Sequence, residues 1–357
     1  MSLLPEGNAI IYSEGVFNTT SGKTANGLVR YTERYKILSV IDSNFAGQDS
    51  GFVLNNKENN IPIFANFKEA HSAALNSNLK PTHLIIGTNP KDGKLDDSTK
   101  DTVKSAIKKG LNIDSGLNEF LSDDKELKSL ATQNEVVIRD IRKPAPRSEL
   151  HSFSGKIEDV DSFIIAVLGT DSTVGKRTTA WLLVHALRAA GYKAEFIGTG
   201  QTAWMQGAKY GIVLDSIVNN FVNGELEHVI HSAWKKEKPN FLVIEGQGGL
   251  LNPANPSGFE ILTCARPDVI VLQHSPTRKE YIGFPDYSIH PLSKQMKAIE
   301  VVSGKQIVAI TINHENLSAK EIDKVCGDYT KLYEIPTFDV LTHGAEKLVR
   351  TILKYKK

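Results

Sequence analysis

The chain has 357 residues, enough for two domains with a sizeable core each, and its 40% hydrophobic and 23% charged residues are a globular composition. Its 42 Lys and Arg against 41 Asp and Glu leave a net charge of +1, which gives bulk electrostatics no hold on nucleic acid or an anionic membrane. No apolar stretch approaches the ~20 residues of a membrane span, the opening MSLLPEGNAIIYSEG lacks the regions of a leader, and Cys264 and Cys326 sit in no CxxC pair or Cys/His cluster, so a reducing cytoplasmic setting with packing thiols and no zinc is expected.

Strand and helix signals then alternate. Short apolar runs at Asn8–Tyr12, Lys36–Ile41, Ile61–Ala65 and Thr82–Ile86 read as strands, the last followed by Gly87 and Pro90. Ser98–Lys109 places Val103, Ala106 and Ile107 at helical spacing and stops at Gly110, and Val136–Ile141 closes the series as another strand. The two prolines of Arg142-Lys143-Pro144-Ala145-Pro146-Arg147 interrupt this rhythm. A domain boundary is expected there, giving domains 1–147 and 148–357. The pattern restarts with strands at 163–168, 194–198, 241–245, 268–273 and 307–312, a helix over 178–190 stopped by Gly191, and a last amphipathic helix over Ala345–Tyr355. Strands alternating with helices predict α/β domains with mainly parallel sheets.

The stretch FIIAVLGTDSTVGKRTTA, residues 163–180, runs from strand through a glycine loop into a helix. That order aims backbone N–H groups at an anion on the helix N-terminus, and a lysine adds a point charge. Gly175 and Lys176 fit the phosphate-loop pattern G-x-x-x-x-G-K-[ST], whereas Gly169 lies one residue too far back and Arg177 replaces the metal-holding Ser or Thr. Phosphate contact is therefore assigned to Gly169, Thr170, Thr173, Gly175, Lys176, Arg177 and Thr178. Another candidate, GVFNTTSGKT at 15–24, ends in GKT but has Phe17 where a glycine is required, so an ordinary capped loop competes with it. Asp42 ends the following strand as a ribose-binding acid would, without the G-x-G-x-x-G fingerprint. Further on, FLVIEGQGG at 241–249 ends a strand in Glu245, where an acid faces the phosphates of such folds, and GTGQT at 198–202 falls on the same strand-end rim.

The GTDSTVGK of 169–176 with the EGQGG of 245–249 resembles the phosphate loop and following strand of dethiobiotin synthetase. Over nearly the whole length the chain resembles the D-glutamate N-acetyltransferase-like family, long labelled as of unknown function. The stretches that carry this are GKTANGLVRY (22–31), PTHLIIGTNP (81–90), SGLNEFLSDD (115–124), IRKP (141–144), GTDSTVGKRTTA (169–180), GTGQTAWMQG (198–207), EGQGGLLNPA (245–254) and RPDVIVLQHSP (266–276). The resemblance implies a Rossmann-like N-terminal domain, a P-loop NTPase-like C-terminal domain, and acetyl transfer from acetyl-CoA to the amine of D-glutamate.

For that chemistry a base must take the ammonium proton, donors must stabilise an oxyanion, and cations must hold carboxylates. Glu245, then Asp171, then His274 are the candidate bases. The amides of Gly246, Gly248 and Gly249 are candidate oxyanion donors. Thr199, Gln201, Gln247 and Arg278 are assigned to the amino-acid substrate, with Arg147 and Arg30 as further carboxylate clamps. Lys176 beside Arg177 suits the diphosphate of a carrier thioester, which needs no metal. The alternative is a Mg-ATP-dependent carboxylate–amine ligase, with Thr178, Asp171 and Glu245 around the metal; a non-catalytic nucleotide-binding protein is the other. The expected partner is a small molecule, with homo-oligomerisation open.

Overall fold

A computed structural model describes residues 5–88 and 95–356. Its strands bury both faces, as parallel sheets flanked by helices require. The chain divides into two compact units, one taking the chain up to Pro144 together with Gln201–Gly207, the other Ala145–Gly200 with Ala208–Lys357.

In the first unit β1 (Gly7–Tyr12), β2 (Tyr35–Ile41), β3 (Ile63–Phe64), β4 (His83–Ile86), β5 (Asn112–Ser115) and β6 (Ile138–Asp140) form one parallel sheet in the order β3-β2-β1-β4-β5-β6. This is the order of the doubly wound dinucleotide-binding sheet. Alternation sends Ile10, Leu84 and Ile113 to one core and Ala9, Ile11 and Ile85 to the other. Helix Asp97–Lys108 begins at Asp96, whose carboxylate accepts the Thr99 N–H at 2.7 Å. Pro90, read from the sequence as a stop after β4, lies outside the described residues.

Strand β5 has no apolar signature. Its Asp114 is fully buried and is held by Arg139 Nε at 2.5 Å and the Tyr35 hydroxyl at 2.5 Å. Helix Gln201–Met205 is also built into this unit. Arg142 Nη1 donates to Gln201 Oε1 at 3.1 Å, the Thr24 and Thr202 hydroxyls pair at 3.0 Å, and the Arg34 guanidinium lies 3.8 Å over the Trp204 ring.

The second unit holds β7 (Phe163–Gly169), β8 (Ala194–Gly198), β9 (Tyr210–Gly211), β10 (Phe241–Glu245), β11 (Val269–His274), β12 (Ile307–Ile312) and β13 (Thr337–Phe338), all parallel, in the order β13-β12-β11-β7-β10-β8-β9. Strand β7 lies between β10 and β11, and the pairings Glu245 to Val167 and Gln273 to Gly169 bring the ends of all three to one edge. The loop after β7 therefore opens at the switch point of the sheet, where such folds place ligands. No helix among the described residues is long and apolar enough to cross a membrane.

Candidate active site

Two left-handed residues shape the loop after β7: Thr173 has φ 56° and Gly175 has φ 107°. Helix Lys176–Ala189 starts directly after Gly175 with no side chain capping it. The N–H groups of a first helical turn lack intrahelical acceptors, so this turn is an open anion cradle. Lys176 is buried, and its Nζ donates to Asp171 O at 2.6 Å and Gly248 O at 2.8 Å. Gly169 makes room for it: a methyl there would sit 2.7 Å from Lys176 Cδ. The displaced glycine thus serves the path of the lysine. Thr178 is exposed, as is Thr173, whose hydroxyl accepts from Arg278 Nη2 at 3.3 Å.

Asp171 is the brace of this loop. Its carboxylate accepts from Ser172 N–H at 2.7 Å, Asn252 Nδ2 at 2.8 Å, Arg278 Nη1 at 3.0 Å and Ile282 N–H at 3.0 Å. Four donors occupy the oxygens that proton abstraction or a metal would use. Arg278 is itself spent: Nη1 also donates to Ser172 O at 2.7 Å, and Nε and Nη2 grip Glu315 Oε2 at 3.1 and 2.9 Å. Asn252 and Glu315 were not singled out from the sequence. Asn252 lies in the same EGQGGLLNPA stretch that carries Glu245, which is the one signal that could have found it.

Glu245 is 4% exposed at the end of β10. Thr199 N–H donates to its Oε2 at 3.0 Å, the Thr199 hydroxyl donates to its backbone oxygen at 2.9 Å, and Gln247 Nε2 reaches that hydroxyl at 2.6 Å. The rim thus brings Glu245, Thr199 and Gln247 together, while Gln201 packs in the first unit. Burial pushes the Glu245 carboxyl above the ordinary range; the charge of Arg177, the Thr199 hydrogen bonds and Lys176 oppose this. Arg177 buries its Nε without a hydrogen-bond partner, and burial pushes its guanidinium below the usual range against the pull of Glu245.

His274 ends β11, buried, with Nδ1 2.9 Å from the Thr170 hydroxyl. Burial, then the Arg278 charge, push its imidazole down to about 4, so it is neutral at pH 7. Its neighbour Gln273, unremarked in the sequence, accepts from the Thr179 and Thr311 hydroxyls at 2.6 and 2.5 Å and so ties the helix to the sheet. Of the three glycine amides, Gly246 N–H donates to Val167 O at 2.9 Å and Gly249 N–H to Asn255 O at 3.3 Å. Both are tight crossings, since a methyl on Gly246 would meet Val167 O at 2.6 Å and one on Gly249 would meet Thr170 O at 2.8 Å. Arg147 lies 5.8 Å over the Phe221 ring, and Arg30 is exposed and donates to Asn55 Oδ1 at 3.1 Å.

Two family models match the chain. One, described as a domain of unknown function (DUF1611_C), P-loop domain, covers residues 151–349, and the other, described as a DUF1611_N Rossmann-like domain, covers residues 43–144. A protein of Tritonibacter scottomollicae named D-glutamate N-acetyltransferase is 27% identical over 274 residues, 74% of this chain and 79% of its own length. One of a Pseudoalteromonas species with the same name is 26% identical over 276 residues, 75% of this chain and 80% of its own length. The crystal structure of a DUF1611 family protein from Anabaena variabilis matches 98% of this chain and 99% of that one, with a TM-score of 0.89 and 27% identity.

Proposed function

The chain belongs to the DUF1611 family, and from that premise we propose that it is an N-acetyltransferase moving acetyl from acetyl-CoA to the amine of D-glutamate. The observation that carries the reading is a buried Glu245, held by the Thr199 N–H, on the same sheet edge as the loop after β7, in a chain 27% identical to a D-glutamate N-acetyltransferase. In this reading the cradle after β7 and Lys176 hold the phosphates of acetyl-CoA. They bind and orient; no phosphoryl group moves.

Glu245 takes one proton from the substrate ammonium, and burial, by raising its affinity for protons, makes it a stronger base than an exposed carboxylate. The free amine attacks the thioester carbonyl, forming the C–N bond. Gly248, the second glycine of the turn, is the oxyanion donor we assign. Collapse breaks the C–S bond; the second nitrogen proton leaves with it, one proton ending on the coenzyme thiol and one in solvent. Thr199 and Gln247 hold Glu245 in place.

The ligase alternative asks Asp171, Thr178 and Glu245 to share a metal. Asp171 would have to surrender Arg278 to do so, which argues for the metal-free reaction. The test is coenzyme A release from acetyl-CoA with D- or L-glutamate, in EDTA or with Mg-ATP. We expect release with D-glutamate that persists in EDTA. Turnover that requires Mg-ATP, or no release with any amine, would refute the reading.

A further inference from the structure

We infer that Gln273 and Asn313 are side-chain phosphate donors of the cradle after β7, their amide nitrogens binding the oxygens of a ligand diphosphate beside Gly175. The inference deepens the acetyltransferase reading and rests on it only for the diphosphate being that of acetyl-CoA.

Both amides reach the loop from neighbouring strands. Gln273 is the last residue but one of β11, and Asn313 directly follows β12. A methyl on Gly175 would lie 3.4 Å from Gln273 Nε2 and 4.0 Å from Asn313 Nδ2. Two amide nitrogens thus stand beside the glycine that opens helix Lys176–Ala189. The unpaired N–H groups of a first helical turn favour an anion at that place.

The oxygens of both amides are already taken. Gln273 Oε1 accepts from the Thr179 and Thr311 hydroxyls at 2.6 and 2.5 Å. Asn313 Oδ1 accepts the Glu315 N–H at 3.0 Å, and because a backbone N–H can only donate, this contact sets which end of the Asn313 amide faces the loop. The nitrogens are left over. Neither donates to an acceptor among the described residues, although Gln273 is only 2% exposed. A buried N–H without an acceptor is a standing cost, and a phosphate oxygen, which only accepts, removes it.

The cradle has use for such donors. Lys176 Nζ, its buried cation, already donates to Asp171 O and Gly248 O. Two neutral amides add hydrogen bonds to the anion without adding charge. With their oxygens pinned away from the loop they offer nothing to a magnesium ion, which takes oxygen ligands. They suit a diphosphate that is held and not cleaved.

The test is calorimetry with inorganic pyrophosphate, acetyl-CoA and adenosine on the unaltered protein, Gln273→Glu and Asn313→Ser. Gln273→Glu keeps the oxygen for Thr179 and Thr311 and replaces the free nitrogen by a second oxygen. Asn313→Ser keeps an acceptor for the Glu315 N–H, adds no charge and cannot donate as far as Gly175. Losing a hydrogen bond to a charged group predicts pyrophosphate and acetyl-CoA weakened about 10- to 100-fold in Asn313→Ser. Gln273→Glu, which sets an acceptor against an acceptor, should lose at least as much. Adenosine, which has no phosphate, should be indifferent to both. Pyrophosphate bound equally by all three proteins overturns the inference, and so does a loss confined to adenosine, which would mean that the amides read the base. If Gln273→Glu does not fold, Asn313→Ser decides. Pyrophosphate lost as expected while acetyl-CoA never binds would keep the phosphate donors and remove the acetyltransferase reading. Acetyl-CoA bound equally by all three would keep that reading and remove the donors, and binding of neither anion would remove both.

Discussion

Each unit contains a strand, a loop ending in Gly-Lys, and a helix, yet the two loops are different objects. In the second unit Gly175 takes φ 107°, Thr173 takes φ 56°, and a buried lysine lies along the inside. In the first unit Gly22 takes φ −89°, inside the range open to any residue. The fully buried Phe17 belongs to the core cluster of Ala9, Ile11 and Ala25, and Asn26 ties the loop shut by donating to Phe17 O and to Gly22 O. Gly22 is there for close packing, since a methyl would meet Val16 O at 2.3 Å. The better match to the GKT letters is therefore the closed loop. An anion cradle is a backbone conformation with nothing in its middle, and spelling alone does not specify it.

The strand-end acids sharpen the contrast. Both are buried, but Asp42 gives its two oxygens to backbone groups, accepting Phe17 N–H at 2.9 Å and Asn44 N–H at 3.0 Å, whereas Glu245 is raised in proton affinity and held through Thr199. The largest effect should follow from this difference. Glu245→Gln is expected to lower kcat for acetyl transfer by about 10²- to 10⁴-fold, the usual worth of a general base, with acetyl-CoA affinity kept. The acid limb of kcat/KM in the unaltered enzyme should lie above the ordinary carboxylate range, because the rate is lost as pH falls through the raised Glu245 value, and Glu245→Gln should remove it. Asp42→Asn should instead destabilise the first unit by about 1–3 kcal/mol, by setting an amide against a backbone N–H. If the two substitutions act alike, the distinction between working acid and loop bolt is wrong.

The lysines come next. Lys176→Ala should weaken acetyl-CoA binding about 10- to 100-fold by calorimetry, the cost of a charge-assisted phosphate contact, and also lower stability by about 1–3 kcal/mol, because Asp171 O and Gly248 O lose their donor. Lys23→Ala should leave that affinity where it was. Equal losses would mean that both loops bind the coenzyme; no loss in either would put it elsewhere.

The strong apolar strands were legible because parallel strands buried on both faces must read as continuous apolar runs. Strands 194–198, 241–245 and 307–312 match in the structure to the residue, and the helix after Gly175 starts two residues before its expected 178. Strand Asn112–Ser115 was invisible: three of its four residues are polar, and the burial of Asp114 is offset by Arg139 and Tyr35, partners far away in sequence. Two-residue strands such as Tyr210–Gly211 have no period to detect. The site followed the same rule. Gly175, Lys176 and Glu245 stand at chemically marked positions on clean elements. That Arg278 would brace the loop, that Gln201 would pack in the first unit, and that Arg177 would turn its Nε inward depend on long-range packing, which local spacing does not encode.

The smallest effect concerns His274, which the sequence offered as a base and which the structure holds buried and neutral against Thr170. In the unfolded chain the imidazole takes up a proton near its ordinary 6.5, whereas in the folded protein it waits until about 4. Between those values the unfolded state binds more protons, so stability rises with pH and is lost as pH falls, by at most about 3 kcal/mol. Nothing comparable sits in the closed loop of the first unit, whose acid Asp42 is bound to backbone N–H groups rather than facing an imidazole. Chemical denaturation from pH 4 to 7 of the unaltered protein and of His274→Gln, which keeps a polar group for Thr170, should show curves that differ in slope only over that window, the variant being the flatter. Parallel curves would mean that His274 titrates normally and is open to solvent. Thr170 would then be held by something other than a neutral imidazole.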